Sequence, residues 1–212
     1  MSDVVVGIDI GGTFTKFGIV DRDGHVYGES SIPTDFTDDV NLYVKDLHKA
    51  VMGLFEKVSQ QCLIKGIGIG APNGNYYKGT IEFAPNLRWK GIIPLVEIFK
   101  NHFHVPVVLT NDANAAAIGE MIFGAAKEMK DFIVITLGTG LGSGIVVNGE
   151  LVYGHDGFAG ELGHTIVKLN GRMCGCGRRG CLETYVSAPG IKRTVFKLLS
   201  DTLYKSDLRR YS

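Results

Sequence analysis

Neither sign of charge predominates in this chain: 22 lysines and arginines face 22 aspartates and glutamates across 212 residues. The basic excess typical of non-specific nucleic-acid binding is therefore missing. No apolar run approaches the ~18 residues that suggest a membrane span, and the N-terminus lacks the basic-then-apolar pattern of a signal peptide. The six prolines form no Pro- or Ser-rich linker, and no segment is of low complexity. Cysteines number only four, three of them packed between Cys174 and Cys181, which excludes a disulfide framework and points to a metal site. With 21% charged and 45% hydrophobic residues, the composition excludes disorder. These absences lead us to expect a cytoplasmic protein with a real core. What is abundant is glycine, 29 residues, about twice the usual ~7% share, suggesting tight turns or close backbone approaches to a ligand.

The hydrophobic pattern reads as α/β. Residues 4–10, 16–20 and 25–32 are expected as three strands of an antiparallel meander, separated by Gly11-Gly12-Thr13 and by the turn Asp21-Arg22-Asp23-Gly24. Val40, Val44, Leu47, Val51, Leu54 and Val58 then repeat at spacings of four and three, one face of a long helix over 38–58. Strands are expected at 65–70, 105–110, 132–137 and 143–147, with helices over 111–123 and 182–199. A strand, a glycine loop and a strand occur near residue 10 and again near residue 140, consistent with two half-similar lobes facing each other across a cleft.

Four groups of residues carry chemistry. Asp9-Ile10-Gly11-Gly12-Thr13 ends a buried strand; its glycines allow backbone amides to turn toward phosphate oxygens, and Asp9 has the chemistry to hold Mg²⁺ directly or through water. An ordinary hairpin turn is the alternative. The loop over 138–144 carries four glycines in seven residues, more than a turn needs, and neither loop matches the Walker pattern. Asn111-Asp112 sits where a strand ends and a helix begins. There it serves as an N-cap, as a carboxylate at a cleft floor, or as both, with Asn111 capping and Asp112 pointing outward. His164, Cys174, Cys176 and Cys181 supply the three-cysteine, one-histidine set of a closed tetrahedral zinc site. Glu161 and Glu183 flank that knuckle; each alone reads as a surface charge, but together they suit the vicinal hydroxyls of a polyol. Cys62 reads as a small buried hydrophobe near the end of the long helix, and His102 and His104 as structural or exposed.

In this order and spacing the motifs resemble the ROK family of sugar kinases and repressors, most closely its bacterial glucokinases. The resemblance covers residues 4 to about 199. It runs from the first loop through Ala84-Pro85-Asn86-Leu87-Arg88-Trp89, Asn111-Asp112-Ala113-Asn114-Ala115-Ala116-Ala117 and Leu137-Gly138-Thr139-Gly140-Leu141-Gly142 to Gly160-Glu161-Leu162-Gly163-His164 and the cysteine knuckle. It implies the actin/hexokinase-like ATPase fold, two lobes (1–115 and 116–212) with ATP and a hexose in the cleft, and a homodimer. Asp112 would be the general base on the sugar 6-hydroxyl. Asn86, Asn111, Glu161, His164 and Glu183 would hold the other hydroxyls. Asp9, Gly11, Gly12, Thr13, Gly138, Thr139 and Gly140 would serve ATP and its Mg²⁺, and zinc on His164, Cys174, Cys176 and Cys181 would be structural. Two departures stand out: Asn73 follows Pro72 where the family usually has glycine, and the chain ends well short of the family's kinases, so an incomplete second lobe is expected. The first loop begins within ten residues of Met1, which argues against the family's repressors, whose helix-turn-helix precedes it. Loss of phosphotransfer, leaving a sugar-binding protein, is the other alternative, and N-acetylmannosamine, fructose and allose are alternative substrates.

Overall fold

A computed structural model describes residues 2–58, 62–201 and 205–211. The opening meander is present: β1 (Ser2–Ile10), β2 (Phe14–Asp21) and β3 (Val26–Pro33) pair antiparallel. Along β1 the side chains of Val4, Val6, Ile8 and Ile10 are buried and their neighbours exposed, the period of two that packs one sheet face on a core. Helix α1 (Val40–Glu56) follows. Asp39 caps it by accepting the Asn41 and Leu42 amides at 2.8 and 3.3 Å, and Tyr43, Val44, Leu47 and Val51 form its buried stripe. Next, β4 (Cys62–Ala71) returns parallel to β1. Cys62 is buried as expected, but it opens this strand rather than lying near the helix end.

Three strands too short for periodicity to reveal, β5 (Gly74–Asn75), β6 (Thr80–Glu82) and β7 (Ile92–Ile93), make a small separate sheet. Helix α2 (Leu95–Lys100) adds Leu95 and Phe99 to the core that α1 and the main sheet share. With β8 (Val107–Asn111) parallel to β4, the main sheet has the order β3-β2-β1-β4-β8.

The chain then passes directly into α3 (Asp112–Ile122) and on to a second sheet of β9 (Phe132–Leu137), β10 (Leu141–Val147) and β11 (Glu150–Leu151). Helix α3 packs on β9 and β10 and also touches β4 and β8. It is continuous across residues 115 and 116, where the lobe boundary is expected. The helix expected over 182–199 is two helices, α4 (Glu183–Val186) and α5 (Ala188–Asp201). Ser187 breaks them because it is extended and its hydroxyl accepts the Gly190 amide at 3.3 Å. That makes it the cap of a new helix, with Pro189 in the first turn, where its missing N–H costs nothing. Among the described residues no helix is long and apolar enough to cross a membrane.

Candidate active site

The junction of β8 and α3 puts a carboxylate on the floor of a cleft of about 710 Å³. Asn111 is the N-cap, its Oδ1 accepting the Ala113 amide at 2.9 Å, and Asp112 Oδ1 accepts the same amide at 2.8 Å. Asp112 is exposed to the cleft, so the capping and outward-pointing arrangements coexist. The same cleft is lined by Asn86, Asn111, Glu161, His164 and Glu183 and by Gly11, Gly12, Gly138, Thr139 and Gly140 of the two glycine loops, with Glu183 in contact with the second loop. Two expected residues lie off this wall. Asp9 faces a separate groove of about 1100 Å³ on the open side of the main sheet, beside its strand partner Lys16, because alternation along β1 turns it away from the core. Thr13 borders neither cavity; its carbonyl accepts the Thr34 amide at 2.8 Å and its side chain is exposed.

The floor is an acidic cluster. Burial raises the pKa of Glu161; His164 opposes this, and the charges of Asp112 and Glu183 add to it. Asp9 is also raised, by burial first and by Asp112 second, with Lys16 pulling it back. Glu183 is anchored: its Oε2 accepts the Leu141 amide at 3.0 Å, and its Oε1 lies 3.7 Å from Cys174 Sγ.

Behind the acidic wall the four knuckle side chains converge. His164 Nδ1 lies 3.7 Å from Cys174 Sγ, Cys176 Sγ lies 3.7 Å from Cys181 Sγ, and all four ligand atoms fall within 4.8 Å of one another. Zinc–sulfur bonds of ~2.3 Å at tetrahedral angles give sulfur–sulfur edges of about 3.8 Å, so the donor set fits zinc. With Nδ1 toward the thiols, Nε2 faces Glu161 Oε2 at 3.9 Å, the outward carboxylate partner usual for a metal-bound histidine. Burial raises the Cys176 thiol, but hydrogen bonds from Arg178 and the two other thiols outweigh it and bring the pKa down to about 6. Gly180 closes the knuckle at φ 84°, where a Cβ would run into the Lys168 carbonyl.

Asn73, the departure from the family's glycine noted above, lines the cleft, and sequence reasoning missed Phe83, Phe158 and Asn114 beside it. Asn73 takes φ 52°, a left-handed conformation that asparagine tolerates. It thereby keeps the turn that glycine would make, locked by hydrogen bonds to the Glu82 amide and carbonyl at 3.1 and 2.9 Å. Phe83, also at φ 52° and 67% exposed, and Phe158 line the cleft mouth. Asn114 is buried in the cleft wall, with no hydrogen-bond partner for its Oδ1 among the described residues. Its place one helical turn after Asn111 is the signal that could have found it.

Comparison with known proteins matches residues 5–209 to the ROK family. The chain belongs to the ROK family. It is 40% identical to a glucokinase of Streptomyces coelicolor over 190 residues, 90% of this chain and 58% of that protein. It is 35% identical to a xylose repressor of Caldicellulosiruptor bescii over 92% of this chain and 49% of that one. Among solved structures, a ROK glucokinase from Streptomyces griseus in complex with glucose and AMPPNP superposes with a TM-score of 0.76. It shares 36% identity over 94% of this chain and 62% of that one. The architecture is thus the two-lobed hexokinase-like ATPase fold of ROK proteins, and the chain spans about three-fifths of the length of the glucokinases it matches.

Proposed function

We propose that the protein transfers the γ-phosphoryl group of ATP to the 6-hydroxyl of a hexose, glucose first among the candidates. The observation that carries this reading is the Asp112 carboxylate in a cleft whose lining brings together Asn86, Asn111, Glu161, His164 and Glu183 with two glycine loops. Asp112 accepts the hydroxyl proton as the sugar oxygen attacks phosphorus in line. The Asn111 Oδ1 is taken by capping, which leaves its amide nitrogen to donate to the sugar. Glu161 and Glu183 accept from vicinal hydroxyls, His164 and Asn86 complete the ring contacts, and Gly11, Gly12, Gly138, Thr139 and Gly140 offer backbone amides to the phosphates. Thr13 supports the first loop from outside the cleft.

Asp9 lies off the cleft wall but feels the charge of Asp112, and it would hold, through water, the Mg²⁺ that comes with ATP, which would neutralise phosphate charge. Zinc on His164, Cys174, Cys176 and Cys181 would fill all four of its positions with protein, so its chemistry is structural. We place the protein in the cytoplasm as a homodimer without a nucleic-acid partner, its lobes divided near residues 115 and 116.

The repressor relative favours a second reading, a sugar-binding regulator without phosphotransfer. A coupled ADP-release assay over glucose, N-acetylmannosamine, fructose and allose, on this chain and on any longer gene product containing it, separates the two. Hexose-dependent ADP release is expected; sugar binding with no ADP release from the longer product would replace the kinase by the regulator.

A further inference from the structure

Glu183 opens α4 immediately after the knuckle, and its two carboxylate oxygens face different parts of the site. Oε2 accepts the amide of Leu141, where the second glycine loop enters β10, at 3.0 Å. Gly140 is what permits this approach, since a Cβ there would lie 2.6 Å from the same oxygen. The far end of the loop is held by the same stretch of chain: the Ala188 amide donates to the Gly138 carbonyl at 2.9 Å. Loop 138–141 is therefore clamped at both ends by residues 183–188. Among the described residues Oε1 is held only by a long contact to Cys174 Sγ at 3.7 Å. A metal-bound cysteine has no proton to donate, which leaves Oε1 for a ligand hydroxyl in the cleft that Glu183 lines. Glu161, which lines the same cleft, has no hydrogen bond to this loop among the described residues; its ion-pair neighbour is His164 at 3.9 Å.

We propose that Glu183 is a positioning residue that couples the two ligands. A sugar hydroxyl on Oε1 fixes the carboxylate, the carboxylate fixes the Leu141 amide, and the loop is thereby set for the phosphates. This rests on the kinase reading above. Because coupling is reciprocal, nucleotide tightens sugar by the same factor. Ordering the loop once, for the first ligand, lowers the entropic cost for the second.

The test measures AMPPNP affinity by calorimetry with and without saturating glucose, and amide exchange at Leu141 in the sugar-free protein. The parent is expected to show tightening of about fivefold or more. Glu183→Asp keeps the charge and loses the reach: its ratio should fall to within about twofold of one, and its Leu141 amide should exchange at least about tenfold faster. Glu183→Gln keeps the reach and an acceptor oxygen: Leu141 stays protected and the ratio stays within about twofold of the parent's. Glu161→Ala, assayed at its own saturating glucose, also retains the parental ratio. A parental ratio in Glu183→Asp, or loss of the ratio in Glu161→Ala, overturns the coupling role. A parent that binds both ligands with a ratio of one overturns this inference alone, whereas a longer gene product containing this chain that binds no AMPPNP in either condition overturns the kinase reading with it.

Discussion

Replacing Asp112 with asparagine separates the proton transfer we propose for it from everything else that residue does. In the parent, Asp112 Oδ1 accepts the Ala113 amide in the first turn of α3, and Asn111 caps the same amide. An asparagine offers the same oxygen in the same place, so the helix start survives and stability changes by less than about 1 kcal/mol. On the proposed reading the hydrogen bond toward the sugar would be kept as well, and what would disappear is the base. A positioned general base contributes ~10²–10⁴ in rate, which at 1.36 kcal/mol per decade is about 2.7–5.4 kcal/mol of barrier. Turnover, read by coupled ADP release, is expected to fall at least about a hundredfold while glucose affinity by calorimetry stays within about threefold. Asp9 gives an independent readout. Its pKa is raised by burial first and by the Asp112 charge second, so the variant lowers it, which a carboxyl-carbon NMR titration detects. Retention of more than about a tenth of parental turnover removes Asp112 from the base role. Equal collapse of turnover and sugar affinity makes it a binding group instead.

Removing one knuckle ligand, as in Cys176→Ser, is expected to reduce zinc well below the ~1 ion per chain that elemental analysis should find in the parent. Glucose affinity should weaken with it, while AMPPNP affinity stays within about threefold; metal-free protein with full sugar affinity would falsify the organising role of the knuckle. Asp9→Asn should stabilise the ligand-free protein at neutral pH. A carboxyl whose folded pKa is raised contributes stability below its unfolded value and loses that contribution as pH rises through the folded one. Melting temperatures of variant and parent should therefore converge as pH drops below the ordinary carboxylate range, and a gap that persists in acid refutes the electrostatic cause. Gly180→Ala imposes a side chain at φ 84° against the Lys168 carbonyl. Backbone strain alone costs about 1–3 kcal/mol, so thermal unfolding should shift down and zinc retention fall; parental values for both would refute the packing argument.

Much of this architecture is legible in the residues because its signals are local. The strict alternation of β1 and the four-three spacing of α1 each report one buried face. The knuckle is legible because three cysteines within eight residues have few other uses. The small sheet of β5, β6 and β7 is not legible, since strands of two or three residues cannot display a period. Asp9 and Thr13 belong to a recognisable loop motif, but whether each borders the cleft depends on strand alternation and on the fold around the loop. The anchoring of Glu183 to Leu141 spans 42 positions in sequence, a relation that only the folded chain supplies.

Helix α3 leaves β8 of the main sheet without an intervening loop and lies against both sheets. Asp112 sits in its first turn, so its carboxylate is carried on an element gripped from two directions. If Asp112 is the base we propose, its place is fixed by the packing of the scaffold, and the alignment of the reaction would be decided by how the two substrates are laid against it.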